Sequence, residues 1–377
     1  MKRAIYAFSG DPITYGHIDI IKRALKGFDE IVVAIGVNPD KKYMFSLDER
    51  KEMAEKSLAG IPSTKVVSFE GLLVDYAYEN DIPVIIKGIR DQVDTDYEKI
   101  IHQVGESQEL DIETYILFAR PELSHISSST VKAIQKEHGR IEKYVPLYVK
   151  QCLEAKMSDQ YIVGITGEIG AGKSYVSEKF IQLGKERDIE VHNIELDHIV
   201  HRIYDTLEEP RYVKVRNEIA EAFGDDVMLP DSTIDRKALG DIVFYDQEKL
   251  ARLNELIYTP LMVRVRKELY GKKGVILLNA ALTAESDMAY MSNNNIVVVT
   301  ADNESKDWRL TEKGLTQEQI GRRLKSQYSS EEKIFRLEKT IEKSRHGKVW
   351  AIDNSDSVDS YNIEKVFKDV LKELKIR

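Results

Sequence analysis

Two stretches of this 377-residue chain carry residue types and spacings suited to phosphate chemistry. Gly167-Glu168-Ile169-Gly170-Ala171-Gly172-Lys173-Ser174 fits the pattern GxxxxGK[ST] without a mismatch. Gly167, Gly170, Ala171 and Gly172 would offer backbone N–H groups to the phosphates of ATP. Lys173 would reach the β- and γ-phosphates, and the Ser174 hydroxyl would ligate Mg²⁺. Further along, Ile194-Glu195-Leu196-Asp197 ends the next strand-like run, where a carboxylate can take a hydroxyl proton or orient a metal. Asp197 is the first candidate for that task, with Glu195 in support; the reverse assignment stays open.

The other stretch is Ser9-Gly10-Asp11-Pro12-Ile13-Thr14-Tyr15-Gly16-His17. A small turn residue followed by His at a helix start puts an imidazole beside unpaired backbone N–H groups, a phosphate-binding arrangement. Alone it could be a His decorating a helix. Three segments add weight: Asn38-Pro39-Asp40-Lys41-Lys42 after the second strand, Lys87-Gly88-Ile89-Arg90 after the fourth, and Ile126-Ser127-Ser128-Ser129-Thr130 after the fifth. Singly these are solvated lysines and an N-cap serine. Gathered along one edge of a parallel sheet, they make a polyphosphate site.

Such a sheet is what the surrounding pattern predicts. Arg3–Phe8, Glu30–Ile35, Thr64–Phe69, Val84–Ile86 and Glu113–Phe118 are short apolar runs that read as buried strands. Between them, Ile21, Ala24, Leu25 and Phe28 form a helical stripe, and Ser46-Leu47-Asp48-Glu49 is a capping box. Val131–His138 reads as a helix stopped by Gly139. Ala155–Gln160 turns polar and reads as a linker. A second α/β unit follows, with strands at Tyr161–Thr166, Gly274–Leu278, Ile296–Thr300 and Val349–Asp353, and a charged helical stretch over Arg322–Arg345. The expected domains are 1–156 and 161–377, both α/β with parallel sheets.

Acids outnumber Lys and Arg by 64 to 55, so no nucleic-acid partner and no polybasic membrane anchor is expected. Cys152 stands alone, which excludes a disulfide framework. No run approaches the ~18 apolar residues of a membrane span, and no signal-type segment opens the chain; a cytoplasmic protein is expected.

Residues Met1 to about Leu153 resemble bacterial-type phosphopantetheine adenylyltransferase, through the TxGH-type and ISSS segments and through Arg90 followed by Asp94, Tyr97 and Glu98. The resemblance implies a Rossmann-like nucleotidyltransferase sheet that joins ATP to 4′-phosphopantetheine, giving dephospho-CoA and pyrophosphate. It would place His17 on the α-phosphate and Lys41 on the substrate phosphate. Arg90 and Ser127–Ser129 would hold the β- and γ-phosphates, with the backbone at Gly10 and Gly88 nearby and Glu98 near the ribose. Ser9, Leu73 and Lys87 would face the pantetheine arm. Relatives of this kind assemble, so a homo-oligomer is expected. Two departures stand out: Phe8 replaces a glycine of the family, and Lys87 an arginine.

Tyr161 to about Leu371 resembles dephospho-CoA kinase, through the glycine loop, Ile234–Leu239 with Val243-Phe244, Leu253-Asn254 leading to Pro260, and Ile352-Asp353-Asn354. This implies a P-loop kinase sheet with a helical substrate and lid region, Asn354 at the ATP site, and phosphorylation of the 3′-hydroxyl of dephospho-CoA. The family's DxD reads Glu195-x-Asp197 here, its HP reads Thr259-Pro260, and its PLLxE reads Ala281–Glu285. The lid would lie near Arg309 and Arg322–Lys333, with Arg322 and Arg323 as candidates. Two other readings stay open: a nicotinamide-mononucleotide adenylyltransferase joined to a nucleoside kinase, and an active first half with a regulatory, ATP-binding second half.

Overall fold

The computed structural model describes the chain apart from Asp40, Phe244, Tyr245, Ser326, 357–360 and Arg377, and apart from the side chains of Gln247, Arg322, Arg323 and Lys325. It divides into two compact units, Met1–Leu153 and Glu154–Arg377.

The first unit is built on β1 (Arg3–Phe8), β2 (Glu30–Gly36), β3 (Thr64–Phe69), β4 (Val84–Ile89) and β5 (Glu113–Phe118), in the order β3-β2-β1-β4-β5. Every pairing is parallel. The chain winds from β1 out to β3 and then crosses to β4, so β1 and β4 flank the point where winding reverses. That crevice is where open α/β sheets bind ligands. Ile5, Val32, Ala34 and Ile85 pack under Val74 and Ala77 of the helix Leu73–Glu79, the apolar face that fixes register.

The second unit carries β6 (Gln160–Gly167), β7 (Val191–Glu195), β8 (Gly274–Asn279), β9 (Asn295–Thr300) and β10 (Lys348–Asp353) in the order β10-β9-β6-β8-β7, again all parallel. Val163, Ile165, Val275, Leu277, Val297 and Val299 form one buried layer with Phe180 and Phe367 from flanking helices. Between β7 and β8 the chain inserts helices Leu196–Asp205, Pro210–Phe223, Arg236–Val243 and Gln247–Leu269, which pack around Ile203, Val215, Ile219 and Leu261 over the other face.

Several local expectations change. β4 runs on through Lys87 and Gly88 to Ile89, because pairing with β5 continues to Ile89 opposite Phe118; only Arg90 follows the strand. The helix expected to carry its stripe to Phe28 ends at Ala24, and its buried face instead begins at Ile18. The segment read as a linker is helical through Ser158, in the helix Leu147–Ser158, and Gln160 already belongs to β6. The charged stretch Arg322–Arg345 is two helices, Gln317–Lys325 and Ser330–Ser344, because Ser329 caps the second by accepting from the Glu332 amide at 3.2 Å. The capping box at Ser46 and Glu49 forms as read, with reciprocal bonds of 3.1 and 2.7 Å. The helix expected over Val131–His138 spans Ser128–Lys136.

Gly167 ends β6 at φ 153°, and a Cβ there would lie 2.2 Å from the Val299 carbonyl oxygen, a backbone atom in the adjacent strand. Gly167→Ala should therefore lower unfolding free energy by ~3 kcal/mol or more, read as a fall in the denaturant midpoint of the full chain.

Candidate active sites

In the first unit, helix Tyr15–Ala24 starts directly above the crevice, and His17 lies in its first turn. The Thr14 amide donates to His17 Nδ1 at 3.0 Å, with Thr14 Oγ1 at 2.9 Å from the same atom. That amide contact makes Nδ1 the acceptor, so the hydrogen sits on Nε2. Burial, with Arg90 adding to it, holds the imidazole pKa down at about 3. His17 is therefore a neutral donor across physiological pH, suited to hydrogen-bonding a phosphoryl oxygen without exchanging a proton.

Two of the cations are already paired. Arg90 grips Asp94 in a fork, Nε to Oδ2 at 2.7 Å and Nη2 to Oδ1 at 2.9 Å. Lys87 pairs with Glu98 at 2.7 Å. Lys41 is exposed on the loop after β2. Burial is the largest single influence on the Asp94 carboxyl and raises it, but the side-chain bond, charge and backbone bond of Arg90, with Lys41 adding, together hold it low; Asp40 lies outside the described residues. Ser127 caps the helix Ser128–Lys136 by accepting from the Thr130 amide at 3.0 Å, and Ser128 Oγ donates to the Pro12 carbonyl at 2.8 Å. Ser129 lies in the first turn of that helix. Gly10 has φ 64°, and a Cβ on Gly88 would come 3.2 Å from the Tyr6 hydroxyl. Leu73 is partly buried against the core.

The spacing argument missed the residues that hold these loops together. Asp11, 5% exposed, accepts from the Met44 and Phe45 amides at 3.2 and 3.0 Å and from Lys132 Nζ at 2.7 Å. One carboxylate thus joins the loop after β1, the Lys41 loop and the serine helix. Arg50, 1% exposed, donates to the Ser9 and Gly36 carbonyls beneath them.

In the second unit the glycine loop joins β6 to the helix Lys173–Lys185. A Cβ on Gly172, at φ 90°, would come 2.1 Å from Asn354 Nδ2. Asn354 Nδ2 donates to the Ala171 carbonyl at 2.9 Å, so Asn354 braces the loop. Gly170 and Ala171 also offer carbonyls to Arg309, at 3.3 and 3.4 Å. Lys173 Nζ folds back to the Gly167 and Glu168 carbonyls, at 3.1 and 3.4 Å. Burial lowers its pKa to about 8, Asp197 opposes that shift and Lys333 adds to it.

Ser174 is exposed in the first turn of the loop helix. Asp197 lies in the first turn of Leu196–Asp205 and lines a cavity of about 380 Å³ together with His201, Tyr204, Arg236, Asn254 and Tyr258. Glu195 instead ends β7 and accepts from Asn193 Nδ2 at 3.1 Å. Among the described residues no group of three or more His, Cys, Asp or Glu is placed to hold a metal. The exposed Ser174 hydroxyl and the Asp197 carboxylate nevertheless suit Mg²⁺, which keeps several waters and binds through few protein ligands plus phosphate.

Glu168 is tied down on all sides: it accepts from Lys306 Nζ at 2.8 Å, from the Ser330 amide at 2.6 Å and from Ser330 Oγ at 2.8 Å. Lys333, wholly buried, pairs with Glu285 and donates to the Ala281 carbonyl at 2.8 Å. Lys333, at the end of the expected lid region, is thus a buried residue of the frame. Its signal was in the sequence, since Ser330, Lys333 and Leu337 stand at i, i+3, i+7 on the buried face. The side chains of Arg322 and Arg323, like Phe244, lie outside the described residues.

Residues 161–347 match the family described as dephospho-CoA kinase, and residues 9–134 the one described as cytidylyltransferase-like. The chain is similar to the phosphopantetheine adenylyltransferase of Clostridium novyi (strain NT), 47% identical over 146 residues, which is 39% of this chain and 91% of the relative. That of Geobacter metallireducens is 43% identical over 157 residues, 42% of this chain and 96% of the relative. Among solved structures, TT1252 from Thermus thermophilus is similar at 25% identity and TM-score 0.43, over 57% of this chain and 98% of that one. Dephospho-CoA kinase from Campylobacter jejuni is similar at 18% identity and TM-score 0.31, over 57% and 97%.

A lysine with pKa about 8 is a cation below that pH and loses its charge above it. A bound triphosphate favours the charged form, so binding at the glycine loop should weaken by up to ~tenfold per unit as pH rises beyond about 8. Isothermal titration of the full chain across that range should show it, as the component that Lys173→Met removes.

Proposed function

We infer what the molecule does from a premise of kinship: the chain belongs to the phosphopantetheine adenylyltransferase family through its first unit and carries a dephospho-CoA kinase domain in its second. It is a bifunctional enzyme of coenzyme A biosynthesis, a nucleotidyltransferase and a kinase, both using ATP. The first unit transfers AMP from ATP to 4′-phosphopantetheine, releasing pyrophosphate; the second phosphorylates the 3′-hydroxyl of the dephospho-CoA so formed. One observation carries this reading. Each unit has its own phosphate cradle at the carboxyl edge of its own parallel sheet, and the product of the first reaction is the acceptor of the second. The relatives do not favour the nicotinamide-mononucleotide reading, and the kinase match does not favour a silent second unit.

In the first site the substrate phosphate attacks the α-phosphorus, and pyrophosphate leaves. His17 Nε2–H donates to the α-phosphoryl oxygen as charge grows there, while Lys41 holds the attacking phosphate. Arg90 and the Ser127–Ser129 helix start take the departing β- and γ-phosphates, with the backbone at Gly10 and Gly88 close by and Glu98 toward the ribose. Ser9, Leu73 and Lys87 face the pantetheine arm. Gly36, Arg50 and Asp11 hold the frame.

In the second site dephospho-CoA enters the cavity beside Asp197. Asp197 takes the 3′-hydroxyl proton as that oxygen attacks the γ-phosphorus, and ADP leaves. Gly167, Gly170, Ala171, Gly172 and Lys173 hold the phosphates, braced by Asn354, and Glu195 supports from the end of β7. Mg²⁺, held by Ser174 with Asp197 nearby, would neutralise phosphate charge.

The first unit also supports a homo-oligomer. Helix Gln92–Glu106 buries none of its residues and exposes Val93, Ile100 and Val104, and edge strand β5 exposes Ile116 and Phe118. An unpaired edge beside an apolar helix face is suited to a second copy. Light scattering should give a mass above one 43.2 kDa chain, and Phe118→Asp should shift it toward the monomer.

The decisive assay supplies the whole chain with 4′-phosphopantetheine and ATP and measures dephospho-CoA and CoA. His17→Ala should cut dephospho-CoA formation by about 10²-fold or more. Lys173→Ala should leave it intact and cut CoA formation by a similar factor. CoA made at the normal rate by Lys173→Ala would overturn the assignment of the second site.

A further inference from the structure

An aromatic side chain stands at the end of β1, beside the helix start that carries His17. Phe8, the last residue of β1, stacks on the His17 ring with centroids 4.3 Å apart and planes 15° from parallel. Tyr6 supports it from below, at 5.0 Å between centroids. Gly10 makes room for the stack: at φ 64° it is left-handed, and a Cβ there would meet both the Phe8 ring and Ile35 at 3.3 Å. A larger residue at position 10 would therefore press on the ring that covers the imidazole.

We propose that Phe8 is a positioning residue for adenylyl transfer: its face and the Thr14 amide together fix the plane and the tautomer of His17, so that Nε2–H is presented to phosphate. Two separate restraints act on the ring. The Thr14 amide decides which nitrogen carries hydrogen, and the stack decides where that hydrogen points. In this chain the two act together to set the hydrogen-bond donor.

The stack also shields one face of the ring from water, which fits burial as the leading cause of the low imidazole pKa. The charged groups facing the imidazole are Arg90, beyond β4, and Asp94, on the helix after it. They are paired to each other, so their effects on His17 oppose. Tyr6 on β1 and Tyr15 at the helix start are both pushed up by burial and are neutral. Removing Phe8 should thus let water reach the ring and bring its pKa back toward the ordinary value near 6.5. An attraction between the phenyl face and an imidazolium would act the opposite way. The direction of the shift therefore decides which effect of the stack dominates.

This inference rests on reading the first unit as an adenylyltransferase, and the test separates the two. In the full chain, Phe8→Ala should lower kcat for dephospho-CoA formation by about 10²-fold with KM for ATP little changed. It should also bring an acidic limb into the pH profile, while Phe8→Tyr, which keeps the stacking face, restores most of the rate. The remaining first-unit signals in the NMR spectrum, at their wild-type positions, report that the first unit of the variant is folded, and CoA formation from supplied dephospho-CoA reports the second unit alone. The imidazole signal of His17, assigned by its loss in His17→Gln, is titrated by NMR in both variants and needs no activity at all. An upward pKa shift in Phe8→Ala, absent in Phe8→Tyr, is the expected result. An unchanged or lower pKa in Phe8→Ala, or equal loss of rate in Phe8→Ala and Phe8→Tyr, would overturn the proposal. If the wild-type chain made no dephospho-CoA, the function would fall while the titration still judged Phe8.

Discussion

A polyanion can be held by backbone amides only where the backbone comes closer than a side chain permits, and this requirement shapes both units. At the glycine loop the limit is severe: added carbons at Gly167 and Gly172 would lie 2.2 and 2.1 Å from neighbouring atoms. The loop is therefore wedged between β9 and Asn354, and it keeps its curvature because it has no room to relax. The backbone of the loop is thus set before any ligand arrives, with the Ile169 amide donating to Gln327 Oε1 at 3.1 Å and the Ala171 amide to the Glu168 carbonyl at 3.2 Å, and fixed dipoles are the most effective kind. At the first cradle the same role falls to Gly10, whose left-handed backbone turns the chain away from β1 and into the helix that carries His17.

A second constraint follows from the first. Cations gathered for a triphosphate repel one another until it binds, and desolvation would strip their charge. Each unit answers with carboxylates: Asp94 on Arg90, Glu98 on Lys87 and Asp11 on Lys132 in one, Glu168 on Lys306 and Glu285 on Lys333 in the other. Lys173 folds onto the Gly167 and Glu168 carbonyls, and burial lowers its pKa; burial lowers that of Lys333 too, against the opposing pull of Glu285. The exposed Arg90–Asp94 fork can exchange its partner for phosphate at little cost, whereas the buried Lys333–Glu285 pair cannot and serves the frame.

Much of the fold was readable because its signals are local. All five strands of the first unit coincide with short apolar runs in the sequence, and Ser46–Glu49 closes as its spacing requires. The errors lay where a neighbour decides: β4 lengthens through a lysine and a glycine because β5 pairs with it, and the polar text after Ala155 stays helical through Ser158. Glu168, an acid inside a phosphate loop, was a hint of a buried cation, but its sequence did not say which one.

The sequence by itself determined the parallel α/β character of each unit, the glycine loop with Lys173 and Ser174, and the place of His17 at a helix start. These depend on period, spacing and backbone freedom within a few residues. Tertiary structure alone decided which charges meet. Asp11 and Lys132 stand 121 residues apart, Glu168 and Lys306 138 apart, and Glu285 and Lys333 48 apart. It also decided that Asp197, not Glu195, faces a cavity, and that Phe8 covers His17. Such contacts arise because a parallel sheet brings the ends of distant strands to one edge, and no pattern along the chain encodes which side chains will face each other there.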